Sequence, residues 1–327
     1  MEDIIHLWDG EKWNGPITDG HLHLDRKGRF LNAARDFESS GGTRLILVHK
    51  PNFSKLPENI DHVSTAYLDT ISIANEVRAS TNIQVQVILG PHPVVWSHQI
   101  ESLGEKRATE LHIQSVDLAL KYFESGDCVG IGEIGRPHFQ VSPEVWVSAN
   151  NMLRDILKRC SKKNVPVQFH VEDKGSFTYQ ELSQICSEAN YPKSIALRHY
   201  APADVSPSFT SKLPVTVSMG RGSVQKIAST IDVNLLFKGD HPPVLMETDY
   251  LDDPTRPGAV LGPRTIAKRT NELGKLLQMP EDEGGKGWKH EEISKFLCKI
   301  HHVWHYMLYG ECRLLTSHFS ATFIWVK

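Results

Sequence analysis

Eight short apolar runs recur between residues 16 and 250, and few folds can accommodate all of them. They are PITDGHLHL (16–24), TRLILVHK (43–50), IQVQVILGPHP (83–93), VGIGEIG (129–135), VPVQFHVE (165–172), SIALRHY (194–200), PVTVSMG (214–220) and PVLMETDY (243–250). They are continuous rather than strictly alternating, the pattern of strands covered on both faces. Residues 61–80, 105–124 and 142–163 lie between them and read as helices. The last opens with Ser142, Pro143 and Glu144 and ends in basic residues, which supplies an N-cap, a first-turn proline and a dipole-matched end. Residues 223–230 are the best helical stretch among the later, shorter connections. Strand and helix thus alternate from about 16 to 280, which predicts right-handed parallel βα units. The expected fold is an α/β (β/α)8 TIM barrel.

The regions outside this alternation are short. Residues 4–15 read as a small hairpin around Asp9 and Gly10. After the last strand come a Pro/Gly-rich loop, a helix over 263–278, a break, and a helix over 288–309. We read residues 1–327 as one barrel domain, with its core at about 16–280 and a C-terminal helical extension over 281–327. The apolar, aromatic tail 311–327 has no role that the sequence assigns.

A length of 327 residues suits a single barrel, since such barrels take about 250 residues or more. The net charge of -3 argues against a strongly basic, nucleic-acid-coating protein. Five scattered cysteines without a Cys-x-x-Cys pair read as reduced thiols. The N-terminus lacks the apolar core of a secretory signal. No run approaches the ~18 apolar residues of a membrane span. The expected location is the cytoplasm, with no membrane partner.

The chemistry sits where the runs end. His21 and His23 lie in the first, Glu133 in the fourth, His170 in the fifth, His199 in the sixth and Asp249 in the eighth. In a strand, residues i and i+2 share a side, so both imidazoles of His21-Leu22-His23 can reach one ion. A buried carboxylate needs a partner, and Glu133 has two oxygens with which to bridge two ions. Asp249 ends the strand that neighbours the first in a closed barrel, so it can share an ion with His21 and His23 and accept a proton from bound water. Four imidazoles and two carboxylates suit divalent cations: zinc, manganese or magnesium.

The ordered set DGHLH, GIGEIG, His170, His199 and ETD resembles the TatD family of metal-dependent hydrolases, barrel members of the amidohydrolase superfamily. The resemblance spans residues 17 to about 280. It implies a site for two divalent metal ions, one held by His21, His23, Glu133 and Asp249, the other by Glu133, His170 and His199. It also implies Asp249 and Glu133 as the catalytic carboxylates and metal-activated water as the nucleophile. The reaction it implies is phosphoester hydrolysis, with deoxyribonuclease activity among the better known members, on a small-molecule or nucleic-acid substrate. Arg136, Lys174, Arg198 and Arg221 could grip phosphoryl oxygens through charge-assisted hydrogen bonds. Arg198 is the weakest of these, since it should start toward the opposite face from His199. His92, between Pro91 and Pro93, could contact substrate.

The chain departs from the family pattern in its substrate loops. Glu172 stands where an arginine is usual, Tyr200-Ala201-Pro202 follows His199, and YLDDPTRPG replaces the usual residues after ETD. Hydrolysis of a carboxylic ester, lactone or amide is therefore the alternative, and a metal-stabilised binding scaffold without catalysis a second. His301 and His305, spaced i and i+4, read as a surface or interface cluster.

Overall fold

The structure is a computed structural model, and it describes residues 6–253 and 261–310. The eight expected strands form. They are β1 (Thr18–His23), β2 (Arg44–Val48), β3 (Gln84–Leu89), β4 (Gly130–Gly135), β5 (Val167–His170), β6 (Ala196–Ala201), β7 (Val215–Ser218) and β8 (Val244–Glu247), with a short continuation, β9 (Tyr250–Leu251). All are parallel neighbours in the order β8-β7-β6-β5-β4-β3-β2-β1-β9. Because β9 follows β8 directly in the chain and pairs with β1 through Leu22 and His23, the sheet closes on itself. This is the barrel.

The helices around it are α1 (Leu31–Ser39), α2 (Ile60–Ser80), α3 (Pro93–Leu103), α4 (Glu105–Ser125), α5 (Pro143–Ser161), α6 (Ser176–Glu188), α7 (Ser223–Thr230), α8 (Val233–Lys238) and α9 (Thr265–Gln278). The sequence reading anticipated α2, α4, α5, α7 and α9. It missed α1 and α6, whose first turns have no capping side chain to announce them, and α8, which is only 6 residues long. It ran the third strand through Pro93. In the structure that proline is the first residue of α3, where its absent N–H costs nothing. At the N-terminus, Trp8 and Trp13 form the antiparallel bridge of the expected hairpin. The tail 311–327 lies outside the described residues.

The C-terminal helix runs as α10 (His290–Cys298), a π-helical stretch (Lys299–Val303) and α11 (Trp304–Tyr309). Here the reading of His301 and His305 as a surface or interface cluster is corrected: both are fully buried within the chain. They face the barrel. The Thr18 N–H donates to His301 Nδ1 at 3.2 Å, and Gly20 leaves the space that His305 occupies beside β1. Burial pushes the His301 pKa down to about 3. The unfolded chain protonates this ring near pH 6.5, so its contribution is intact above that pH and is lost as pH falls from there toward 3. The slope is about 1.4 kcal/mol per pH unit. Replacing His301 with glutamine is expected to flatten the pH dependence of stability between neutral pH and about 4.5. Denaturant titrations with equal slopes for both proteins would contradict this.

Candidate metal centre

The C-terminal ends of the strands deliver all six groups to one mouth of the barrel. Glu133 lies at the middle, and its two oxygens face different partners. Oε1 is 3.5 Å from His21 Nε2 and 3.4 Å from His23 Nε2. Oε2 is 2.6 Å from His170 Nδ1 and 2.8 Å from His199 Nε2. Asp249 Oδ1 stands 3.8 Å from His21 Nε2 and 3.9 Å from His23 Nε2. Its backbone, at φ 48°, adopts a left-handed conformation that aspartate tolerates better than most residues. That bend separates β8 from β9.

The tautomers follow from the outer hydrogen bonds. His21 Nδ1 donates to Gln168 Oε1 at 2.7 Å, and His23 Nδ1 donates to the Val48 carbonyl at 3.0 Å. In neutral rings both Nε2 atoms are then lone-pair acceptors, yet they stand 3.2 Å apart. Two facing lone pairs repel unless a cation or a proton lies between them. Ligand atoms each about 2.1 Å from one tetrahedral centre stand about 3.4 Å apart. The 3.2, 3.4 and 3.5 Å separations among His21, His23 and Glu133 match that spacing. The donor set therefore fits a divalent cation. Around Oε2 the groups sit at hydrogen-bonding distance, with His170 Nδ1 also 2.9 Å from His199 Nε2, and an ion there requires them to part slightly.

Electrostatics tie these groups together. Burial alone would raise the Glu133 pKa, but the imidazoles of His199, His92 and His170 outweigh it and hold the carboxyl well below the ordinary range. Burial would depress His199, yet Glu133 and the fully buried Glu247 raise its pKa well above the usual value. Asp249 is raised, chiefly by desolvation. It keeps 30% of its side chain exposed, so water can reach it.

The expected substrate-gripping residues fare differently. His92 is at the centre, with Nε2 3.4 Å from Glu133 Oε2. Its Nδ1 accepts the Val94 N–H at 3.1 Å, so the neutral ring carries its proton on Nε2 and points a donor, not a lone pair, at the site. Arg136 is corrected: its guanidinium is fully buried, donates from Nε to Glu172 Oε2 at 3.1 Å, and lies over Trp146. The family's arginine position is Glu172 here, and it captures Arg136. Arg198 is buried against Tyr179 and pairs with Asp173 at 3.3 Å. Lys174 is exposed, with Nζ 4.7 Å from the Trp146 ring centre, and Arg221 is exposed after β7. Neither has a described contact with the six ligand-type groups.

Sequence reasoning missed three supporting groups. His138 Nδ1 is 2.7 Å from His170 Nε2, on the loop after β4. Glu247 accepts the Tyr200 N–H at 2.6 Å and faces His199 Nδ1 at 3.8 Å. Gln168 holds His21 and donates from Nε2 to the Tyr309 hydroxyl at 2.8 Å. Its position in VPVQFH, two residues before His170 on the same strand face, was the available signal. Gln168→Met is expected to release the His21 ring and weaken metal binding about 10- to 100-fold, read by calorimetric titration of the metal-free protein. Unchanged affinity would show that Gln168 plays no part in holding the His21 ring for metal.

Comparisons with known proteins identify the family and the fold. The profile of the TatD related DNase family matches residues 18–287. An uncharacterized protein of Methanocaldococcus jannaschii is 27% identical over 262 residues, covering 79% of this chain and 87% of its own. Among solved structures, a TatD homologue from Escherichia coli K12 superposes with a TM-score of 0.58 at 18% identity, covering 90% of this chain and 98% of that one. A TatD family hydrolase from Entamoeba histolytica gives 0.57 at 14% identity, with the same coverage. These two likenesses speak to the fold.

Proposed function

Since this chain belongs to the TatD related DNase family, we propose that it is a divalent-metal-dependent hydrolase that cleaves phosphoester bonds. The observation that carries the reading is the division of Glu133: one oxygen faces His21 and His23, the other His170 and His199. His21, His23, Asp249 and Glu133 Oε1 would hold one cation, and Glu133 Oε2, His170 and His199 a second. When bound, such ions lower the pKa of water and offset charge on a phosphoryl group. Asp249 is the proton acceptor. It is the most exposed carboxylate of the set, and desolvation lifts its pKa toward a range where it can take a proton from water. His92 offers its Nε2–H to a substrate oxygen from the other side of Glu133.

A second reading, hydrolysis of a carboxylic ester, lactone or amide, is favoured by one observation. Arg136 and Arg198 are turned to Glu172 and Asp173 and do not grip an anion. Purified protein supplied with zinc, manganese or magnesium should turn over bis(p-nitrophenyl) phosphate faster than p-nitrophenyl acetate or a lactone. His21→Ala should abolish that turnover. Equal rates in wild type and variant would reject the phosphoesterase reading, and turnover confined to the carboxylic substrates would select the second.

A further inference from the structure

Beside the metal centre lies a cavity of about 410 Å³, walled by the loop after β2, the first turns of α2 and α3, and part of α4. Its volume lies in the range of small-molecule sites, which are mostly apolar with a few placed polar groups. The walls include Val63, Ala66 and Val95, and the charged side chains that line it are Lys50, Lys55 and Asp69. Of these, Lys55 and Asp69 are exposed, and Lys50 is held by Asp25 at 2.8 Å. His92 belongs to both places: it lines the cavity and faces Glu133 Oε2. His112 of α4 also lines it, is 1% exposed, and has no hydrogen-bond partner at either ring nitrogen. Burial takes its pKa down to about 3, so the ring is neutral. A buried imidazole of this kind lacks both a donor and an acceptor partner, which is costly for the protein alone and useful to a ligand.

The layout assigns a direction to the reaction. Asp249 stands on the Glu133 Oε1 side, next to His21 and His23, while His92 and the cavity begin on the Oε2 side. A water whose proton goes to Asp249 attacks from the first side, and the bond that breaks points to the second. We propose that the cavity seats the leaving group, and that this group is an uncharged, apolar, ring-sized alcohol with a polar atom that pairs with His112. The water oxygen bonds to phosphorus as its proton passes to Asp249, the phosphorus–oxygen ester bond breaks, and the departing oxygen takes a proton from solvent and leaves as the alcohol. This deepens, and in its chemistry rests on, the phosphoesterase reading above.

The test uses the metal-free full chain and two probes, 1-naphthol and naphthalene, followed by ligand-detected NMR. The expected results are saturable 1-naphthol binding and at least tenfold weaker binding in Val95→Trp and Ala66→Trp, which fill the cavity from two helices. His112→Phe is expected to weaken 1-naphthol severalfold and leave naphthalene unchanged. Melting curves and circular dichroism select the folded variants. Absence of 1-naphthol binding, or binding indifferent to both tryptophans, would overturn the proposal. Probe binding without phosphodiester turnover would leave the cavity standing and reject the phosphoesterase reading. Turnover without probe binding would do the reverse.

Discussion

Glu133→Gln is expected to lower kcat/KM by about a thousandfold or more and to cut the bound metal to one equivalent or none. The amide matches the carboxylate in size, but it has one acceptor oxygen and no charge. Each carboxylate oxygen of Glu133 faces its own pair of imidazoles, at 3.4–3.5 Å on one side and 2.6–2.8 Å on the other. One amide oxygen can serve only one side, and its –NH2 turns a donor toward the other. The loss of charge also removes what raises the His23 and His199 pKa values against burial. Metal analysis after gel filtration, alongside steady-state kinetics, checks both parts. A variant that keeps two ions and wild-type kinetics would sink the bridging role.

Asp249→Asn is expected to be nearly as damaging to kcat, by about a thousandfold, with a smaller effect on metal content. Asp249 is farther from the imidazoles than Glu133 and is the more exposed group, so it is placed to act on water more than to hold the ion. Desolvation raises its pKa above the ordinary 3.8. Activity needs its unprotonated form, so the wild-type rate should show an acidic limb, and the asparagine variant should lose it. A variant that retains both the limb and the rate would show that another group takes the proton.

The strands and the six ligand-type residues were legible in the sequence for one physical reason. A parallel strand covered on both faces is a continuous apolar run, and a polar group at its end stands out against it. His21, His23, Glu133, His170 and His199 each mark such an end, and Asp249 follows β8 directly. What depended on side-chain reach was not legible. Arg136 follows the GIGEIG run as an anion-gripping arginine would, but its partner Glu172 lies on the next strand's loop. His92, between two prolines, is a candidate substrate contact in the sequence, but the orientation of its ring is not readable there. Its role comes from capping α3, which fixes the proton on the nitrogen that faces Glu133. His301 and His305 have the spacing of an exposed helical pair, and only the docking of the C-terminal helix against β1 buries them. Gln168 joins that helix to the centre through Tyr309 and His21, a link between distant parts of the chain that local spacing does not reveal.

In the proposed site one carboxylate, Glu133, joins two metal ions. Anomalous diffraction from crystals soaked in manganese or zinc, collected on both sides of the metal's absorption edge, reads this out. Two anomalous peaks flanking the Glu133 carboxylate, one beside His21 and His23 and one beside His170 and His199, are the expected result. A single peak away from Glu133, or none at a metal concentration that supports turnover, would contradict it.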